Sequence, residues 1–192
     1  MKETAMKKLL CIIFALVLSL GATFALASCG EPEETTAAQT DPTPTAPATP
    51  NGYELYDNGK ISFAYPSGWV KTDGSVVILT DNGGSGNNVT VAYEAKTDIY
   101  EKMTLESFNR DFKPAFEAMG MSISNAAVSQ TKNSAGVEIT KVTYNATMSG
   151  VSMKQTLAVL SVDEYTYTVT VTEVKSDATL VNNVFDTIWK LK

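Results

Sequence analysis

Apolar side chains recur at every second residue through most of the chain beyond Tyr53, and this spacing restricts the possible folds more than any other feature. A strand places successive side chains on opposite faces, so a period of two predicts β-strands with one covered face. Short turns at Ser149-Gly150 and Asp163-Glu164 join the last three of these segments. Because sequential strands usually pair with each other, the pattern predicts an antiparallel meander.

Two segments change to the 3.6-residue spacing of an amphipathic helix. The first begins at Thr104, a suitable N-cap, and ends at Gly120. We expect its Pro114 to kink the helix, because proline removes a backbone donor and clashes with the preceding turn. The apolar face comprises Leu105, Phe108, Phe112, Phe116 and Met119 in this helix and Leu180, Val181, Val184, Phe185 and Ile188 in the terminal helix.

One strand segment departs from strict alternation. Between Ile139 and Val142 the apolar phase slips by one residue, which predicts a β-bulge or a change of the covered face. Strands combined with two amphipathic helices in this order indicate the α+β class. We therefore expect residues 53–192 to form a globular domain, an antiparallel β-sheet of about six or seven strands packed with amphipathic helices.

The first 28 residues are typical of an export signal. Lysines precede the apolar run "LLCIIFALVLSL", and the small residues Ala25, Ala27 and Ser28 follow it. We expect residues 1–28 to be removed on export, whether translation starts at Met1 or at Met6. An uncleaved membrane helix is the competing interpretation, because the apolar run extended to Ala27 approaches the roughly 20 residues that cross a bilayer.

The signal ends in Leu26-Ala27-Ser28-Cys29, which resembles the lipobox of bacterial lipoproteins. The resemblance implies that the thiol of Cys29 receives a diacylglyceryl group and that Cys29 becomes the first residue of the mature chain. Cys29 is then a membrane anchor rather than a nucleophile, since two acyl chains hold a protein durably whereas one gives only marginal residence. The implied location is the extracytoplasmic face of the bacterial cell membrane.

A tether follows the anchor at residues 29–52. Beyond Cys29 it is dominated by Pro, Thr, Ala, Glu and Asp and has no aromatic or large aliphatic side chain. Such a segment cannot bury enough surface to fold, and as a flexible coil it would span about 27 Å. The sequence thus predicts a folded domain that is held away from the membrane.

A second resemblance concerns the folded domain. The motif "YPSGW" after an opening strand, the helix in mid-chain and the terminal helix ending in "WKLK" resemble the PsbP family, named for an extrinsic subunit of photosystem II. The resemblance covers most of residues 53–192 and implies an α/β/α sandwich. It also implies a binding or accessory protein rather than an enzyme. The metal-binding histidines of the plant branch have no counterpart, because the chain contains no histidine.

Composition excludes several kinds of chemistry. Without histidine, and with Cys11 removed in the signal, the domain cannot assemble Ser-His-Asp or Cys-His catalysis or an ordinary zinc site. Cys29 alone cannot form an intrachain disulfide. The mature chain would carry 12 basic and 20 acidic residues, a net charge of -8 that repels phosphate, so no nucleic acid partner is expected. No cofactor, metal site or catalytic residue is predicted.

Acid–base chemistry by paired carboxylates remains open. No spacing ties any two acids to one site, and such residues are mostly solvated surface. The candidate acids are Asp57, Asp81, Asp98, Glu101, Asp163 and Glu164.

Three further features have a functional and a structural interpretation. The loop "DNGGSGNN" at residues 81–88 lacks the lysine of a P-loop and the repeated acids of an EF-hand, so we expect a hairpin tip. Trp69 could stack on a sugar, although an aromatic residue directly after a strand and turn more often fills the core. A row of threonines is expected to lie on a solvent-facing or lightly covered sheet face, and it comprises Thr166, Thr168, Thr170 and Thr172.

Two functions of different classes remain. The first is a lipid-anchored binding or accessory module that contacts an envelope protein or polymer. The second is an extracytoplasmic hydrolase that uses paired carboxylates. The missing histidine and the family resemblance favour the first, and the sequence does not identify the residues that would bind the partner.

Overall fold

The computed structural model describes residues 46–191, so the predicted signal, Cys29 and most of the tether lie outside the described residues. Residues 46–50 of the tether have no regular secondary structure, and Asn51-Gly52 form a turn. The strands are β1 (Tyr53–Asp57), β2 (Ile61–Pro66), β3 (Val70–Thr72), β4 (Val77–Thr80), β5 (Asn88–Ala95), β6 (Met121–Lys132), β7 (Glu138–Met148), β8 (Val151–Val162), β9 (Tyr165–Glu173) and β10 (Trp189–Lys190). The helical segments are α1 (Asp98–Glu101), α2 (Leu105–Ser107), a π-helical turn (Phe108–Phe112), α3 (Lys113–Ala118) and α4 (Ala178–Asp186).

The strands form two antiparallel sheets. Seven strands pair in the order β3-β4-β5-β9-β8-β7-β6, and three pair in the order β1-β2-β10. From β6 to β9 each strand pairs with the next, as the short turns predict. The α+β class and an antiparallel sheet of seven strands are therefore confirmed. The opening strand, β2, belongs to the smaller sheet instead of the larger one.

The first face of the seven-stranded sheet, defined here by Val89, Val169 and Val171, carries one hydrophobic core. In this core, Phe63 of the small sheet and Leu180 of α4 are fully buried with these valines. Complete burial of one such side chain contributes about 1.5–3 kcal/mol. The apolar residues predicted for the terminal helix, Leu180, Val181, Val184, Phe185 and Ile188, are all buried. The helix is shorter than predicted, because it ends at Asp186 and Trp189–Lys190 form β10, which pairs with β2.

The second face of the seven-stranded sheet is covered in part by the middle helix, the name used here for α2, the π-helical turn and α3 together. Phe108 and Phe116 each lie 5.6 Å, between ring centroids, from Tyr144 of β7. Phe112 is buried in the same cluster. Leu105 is 42% exposed, so the buried face of this helix is shorter than the sequence pattern predicts.

Local sequence explains the ends and the irregularity of the middle helix. The Thr104 hydroxyl accepts a hydrogen bond from the Ser107 backbone N–H, and the Ser107 hydroxyl accepts one from the Thr104 backbone N–H, which forms a capping box. Gly120 ends the helix with a φ of 81°. The π-helical turn directly precedes Lys113-Pro114, where proline cannot donate to the carbonyl of Arg110. The distortion expected at Pro114 thus takes the form of a wider turn.

The phase slip in β7 is a change of the covered face. Ile139 packs in the core of the first face, whereas Val142 and Tyr144 pack under the middle helix on the second face. The pairing of β7 with β8 runs without interruption from Thr140 to Met148. A register break does occur in the neighbouring strand β6, between Ser124 and Ala127.

Candidate functional site

Three tyrosines lie together on the first face, near the turn between β8 and β9. We call Tyr93, Tyr165 and Tyr167 the tyrosine patch. Tyr93 lies directly opposite Tyr167 in the pairing of β5 with β9. The Tyr93 ring centroid is 5.5 Å from that of Tyr167 and 5.6 Å from that of Tyr165. Tyr93 is 56% and Tyr165 41% exposed, whereas Tyr167 is buried, so the exposed Tyr93 ring packs against one buried ring and one exposed ring.

An ion pair lies beside the tyrosine patch. The Lys60 ammonium is 2.8 Å from the Asp163 carboxylate and joins the β1–β2 turn to the β8–β9 turn. The hydrogen bond from Lys60 to Asp163, followed by their Coulomb attraction, raises the pKa of Lys60. Burial, followed by the nearby Tyr93 ring, raises the pKa of Tyr167. The neighbourhood is therefore two exposed rings next to a fixed pair of opposite charges.

A cavity opens between β7 and β8 near the same turn. Thr140 opposite Val159 is the first pair of the β7–β8 ladder, and although β7 extends to Glu138 and β8 to Val162, these ends do not pair with each other. The resulting cavity, the strand gap, has a volume of about 270 Å³. It is lined by Tyr100, Gln130, Glu138, Ile139, Thr140, Val159, Leu160, Ser161 and Lys190.

Hydroxyl groups concentrate on the second face beside the strand gap. Ser161 lies opposite Thr166 in the pairing of β8 with β9, and Thr166 lies opposite Glu94 in the pairing of β9 with β5. Burial raises the pKa of Tyr100 well above its usual range, and a hydrogen bond to the Glu94 carboxylate adds to the effect. The Thr140 hydroxyl oxygen lies 3.1 Å from the Tyr100 backbone oxygen.

The threonine row on β9 is buried, contrary to the expectation of a solvent-facing or lightly covered face. Thr166, Thr170 and Thr172 are 2%, 3% and 3% exposed, and Thr168 is half-buried. The Tyr144 hydroxyl donates to the Gln155 side-chain oxygen, and the Gln155 amide donates to the Thr172 hydroxyl. The expectation failed because the position of a strand within a sheet decides how its polar face is covered, and alternation does not report that position.

A larger cleft of about 440 Å³ lies at the opposite end of β9, where Glu173 is buried. One oxygen of this carboxylate accepts a 2.7 Å hydrogen bond from the Asp177 backbone N–H, and the other lies 4.0 Å from the Lys154 ammonium. The Asp177 side chain in turn caps α4 by accepting from the Leu180 backbone N–H. Glu173 therefore fixes the start of α4.

The candidate acids are dispersed, and the turns and loops that hold them give each a local role. Asp57 accepts a hydrogen bond from the Gly59 backbone N–H, Asp163 pairs with Lys60, and Glu164 is exposed in the β8–β9 turn. Hydrogen bonds from the Ser85 side chain, the Gly83 N–H and the Ser85 N–H lower the pKa of Asp81. The side chains of Asp98 and Glu101 lie outside the described residues.

The other two features singled out in the sequence, the loop at residues 81–88 and Trp69, have structural roles. The loop at residues 81–88 connects β4 to β5 as a hairpin tip, and the Asn87 side chain binds the backbone of Val174 and Lys175. Trp69 is half-buried against the first-face core. Among residues 46–191, no group of three or more Asp or Glu side chains is placed to hold a metal ion. No helix in this range is long and apolar enough to cross a membrane.

Comparison with known proteins places the folded domain in a family. Residues 51–190 match the family model described as PsbP. The solution structure of cyanobacterial PsbP (CyanoP) from Synechocystis sp. PCC 6803 has a TM-score of 0.57 and 16% identity, with 86% of this chain and 98% of that chain covered. A crystal structure from Bacteroides thetaiotaomicron has a TM-score of 0.45 and 14% identity, covering 73% and 49% of the two chains. No curated protein matches the sequence significantly.

Sequence reasoning did not identify the tyrosine patch or the strand gap. The spacing "YTY" shows that Tyr165 and Tyr167 share a face, but Tyr93 is more than 70 residues away and reaches them only through the pairing of β5 with β9. No local sequence pattern indicates the strand gap, because the gap forms where β7 and β8 stop pairing with each other.

Proposed function

The chain belongs to the PsbP family, and from that premise we propose that it is a lipid-anchored accessory module that docks an envelope protein through the tyrosine patch. The observation that carries the proposal is the contact between two exposed rings, Tyr93 and Tyr165, of which Tyr93 also packs against the buried Tyr167. Tyrosine is enriched among residues that dominate binding energy at protein interfaces, since a large ring with two torsions loses little entropy on contact.

The surroundings of the patch suit a protein partner. An interface usually has an apolar centre and a polar rim, and here the Lys60–Asp163 ion pair lies beside the rings. The pair also bridges the β1–β2 turn and the β8–β9 turn at the edge of this surface. A glycan polymer that stacks on the rings is the other occupant, and the experiment below separates the two.

The hydrolase alternative gains no support from the candidate acids. Asp163 is bound to Lys60, and Asp81 binds the backbone of its own loop. The lowered pKa of Asp81 is opposite to what a general acid at neutral pH requires. Family membership and the dispersal of these acids both favour a non-catalytic role.

The anchor rests on the lipobox resemblance. A diacylglyceryl group on Cys29 would place the domain on the extracytoplasmic face of the membrane, with the tether setting its reach. We expect the native chain to incorporate labelled fatty acid and to partition into detergent. A Cys29→Ser variant should do neither, and label of equal intensity on that variant would refute the anchor without bearing on the tyrosine patch.

Docking is tested by comparing variants for the same partner. The full-length chain is used as bait in a solubilised envelope extract, with a Tyr93→Ser/Tyr165→Ser variant and a Leu105→Ser control. Leu105 is also exposed and apolar but lies on the middle helix. We expect the native and control chains to retain the same amount of one protein per amount of bait. The double variant should retain less than about a tenth of that amount, as loss of a binding hot spot implies.

Two results would overturn the docking proposal. Retention of that protein by the double variant at the native level would show that the tyrosines do not bind it. Retention of a glycan polymer without a protein, again lost in the double variant, would assign the patch to sugar stacking. Circular dichroism in the aromatic region establishes that each variant is folded before the comparison is made.

A further inference from the structure

The outer edge of β6 has no paired strand among the described residues. β6 (Met121–Lys132) is the last strand in the order β3-β4-β5-β9-β8-β7-β6, and it pairs with β7 on its inner side. The backbone N–H and C=O groups that point away from β7 along such an edge can form hydrogen bonds with an added strand. At twelve residues, β6 is more than twice as long as any other edge strand of the two sheets. It is therefore the longest edge in the described fold to which a strand can be added.

The shorter edge strands carry protecting charges, whereas β6 is almost neutral. Natural proteins usually prevent unwanted strand pairing with short edge strands, charged side chains or proline. Strands β1, β3 and β10 follow this rule, and their charged residues are Glu54, Asp57, Lys71 and Lys190. β6 contains no proline, and its only charged side chain is Lys132 at its last position. The long edge of β6 is thus open to pairing.

A β-bulge limits the part of this edge that can pair. The pairing of β6 with β7 shifts register between Ser124 and Ala127, and Asn125 between them has a φ of 53°. A bulge increases the local twist of a strand and interrupts the ladder along it. From Ala127 to Lys132 the pairing with β7 is regular, and the side chains of this segment are exposed apart from that of the half-buried Val128. The segment that can accept a strand is therefore Ala127–Lys132.

The open segment of β6 fits a second copy of itself. A two-fold axis perpendicular to the sheet places two β6 strands side by side and antiparallel, so that opposite residues share a face. With the axis at Ser129, each Ser129 lies opposite the other, Ala127 lies opposite Thr131, and Lys132 lies opposite Ala126. The two Lys132 side chains are then about 20 Å apart, six residues at about 3.3 Å each. This distance exceeds the Debye length, so no like charges oppose the pairing.

We infer that β6 is a docking edge for β6 of a second copy of this chain, and that the two copies form one continuous antiparallel sheet with seven strands from each. A neutral edge has no charge with which to select a different protein, whereas the two-fold axis makes the two copies complementary. Strands β8 and β7 lie between β9 and β6, so the tyrosine patch lies apart from this edge. The inference does not depend on the function proposed above.

Charge exchange at Ser129 tests the pairing. Self-association of the full-length chain is measured by sedimentation equilibrium in detergent, with micelles in excess over protein. We expect the native chain to change from monomer to dimer as its concentration rises. Ser129→Lys and Ser129→Glu should each weaken dimer formation at least about fivefold, because like charges then lie opposite each other. An equimolar mixture of these two variants should dimerise at least as tightly as the native chain.

A matched substitution and a cross-link locate the contact. Ser152→Lys, at an exposed position of β8 on the same face of the sheet as Ser129, should leave dimer formation unchanged. Ser129→Cys should form a disulfide between two copies on oxidation, because the α-carbons of opposite residues lie about 4.5–5.5 Å apart. Ser122→Cys, at an exposed position of β6 before the bulge, should form none. Mass spectrometry of the linked peptides identifies the bond.

The inference is wrong if the native chain stays monomeric, if Ser129→Lys or Ser129→Glu alone dimerises as the native chain does, or if their mixture does not dimerise. A disulfide in Ser122→Cys instead of Ser129→Cys would also overturn it. Hydrogen exchange tests the other occupant, an extended segment of a different protein. Protection of residues 121–132 that requires added envelope extract would assign the edge to that protein. Circular dichroism in the aromatic region establishes that each variant is folded before these measurements.

Discussion

The two faces of β9 are both buried along most of the strand, but they are built from different chemistry. Residues Tyr167, Val169 and Val171 face a core of aliphatic and aromatic side chains. Thr166, Thr170 and Thr172 face the other way and are equally inaccessible to solvent. The first face is stabilised by apolar area removed from water, whereas the second must satisfy each hydroxyl individually.

The two faces of the seven-stranded sheet also differ in the size of the hydrophobic core that each carries. The first face has side chains such as Phe63, Leu79 and Leu180 that are fully buried, and it leaves exposed rings only at its margin, in the tyrosine patch. Buried side-chain oxygens without a hydrogen-bond partner occur on both faces, at Asn88, Ser161 and Thr166 on the second face and at Thr156 and Glu173 on the first. The core on the first face is also the larger of the two hydrophobic cores, so we expect it to contribute most of the folding energy.

The largest expected effect tests the first face. Leu180→Ala should lower the free energy of unfolding by about 3 kcal/mol, because it removes a fully buried side chain and leaves a cavity. Leu105→Ala, a substitution of the same chemistry at a 42% exposed site, should cost less than about 1 kcal/mol. Chemical denaturation of both variants measures the difference, and equal losses would contradict the burial of Leu180 in the first-face core.

A smaller effect is expected within the polar part of the second face. Tyr144→Phe should cost about 1–2 kcal/mol, because it leaves the side-chain oxygen of Gln155 buried without its donor. The same denaturation experiment measures this loss. A neutral result would mean that the chain of hydrogen bonds from Tyr144 to Thr172 adds nothing to stability.

The dependence of stability on alkaline pH provides an independent test of Tyr144. Burial raises the pKa of Tyr144, so the folded state keeps its proton at a pH where the unfolded chain loses it. The stabilising contribution is complete below the unfolded pKa of about 10 and is lost as pH rises above that value. Thermal midpoints measured from pH 8 to 11 should therefore fall above about pH 10, and less steeply in Tyr144→Phe. Identical slopes in the two proteins would exclude a titration of Tyr144 on unfolding.

The smallest effects compare two threonines on the same face of one strand. Thr172→Val should cost about 1 kcal/mol, because the Thr172 hydroxyl accepts from Gln155. Thr166→Val should be neutral or stabilising by up to about 1 kcal/mol, because it removes a buried hydroxyl that lacks a partner. Thermal unfolding ranks the two variants. A Thr166→Val variant as unstable as Thr172→Val would show that the Thr166 hydroxyl is satisfied after all.

Much of the fold could be predicted because its signals are local. The recurrence of apolar residues at every second position identified the strands of the meander. Thr104 and Gly120 identified the ends of the middle helix, and Pro114 identified its distortion. The burial of the threonine row could not be predicted, because it depends on the place of β9 inside a seven-stranded sheet. The tyrosine patch likewise needed the pairing of Tyr93 with Tyr167 across distant parts of the chain.

The sequence by itself determined the α+β class, the amphipathic faces of the helices and the exclusion of histidine and thiol chemistry from the domain. It also predicts the anchor at Cys29, which is a property of a short linear motif. The tertiary structure decided which strands join the small sheet, where β7 parts from β8, and which tyrosines meet. The physical reason is that periodicity and caps arise from neighbours within one or two turns, whereas a cavity between strands or a patch of rings in contact is set by the register of distant segments.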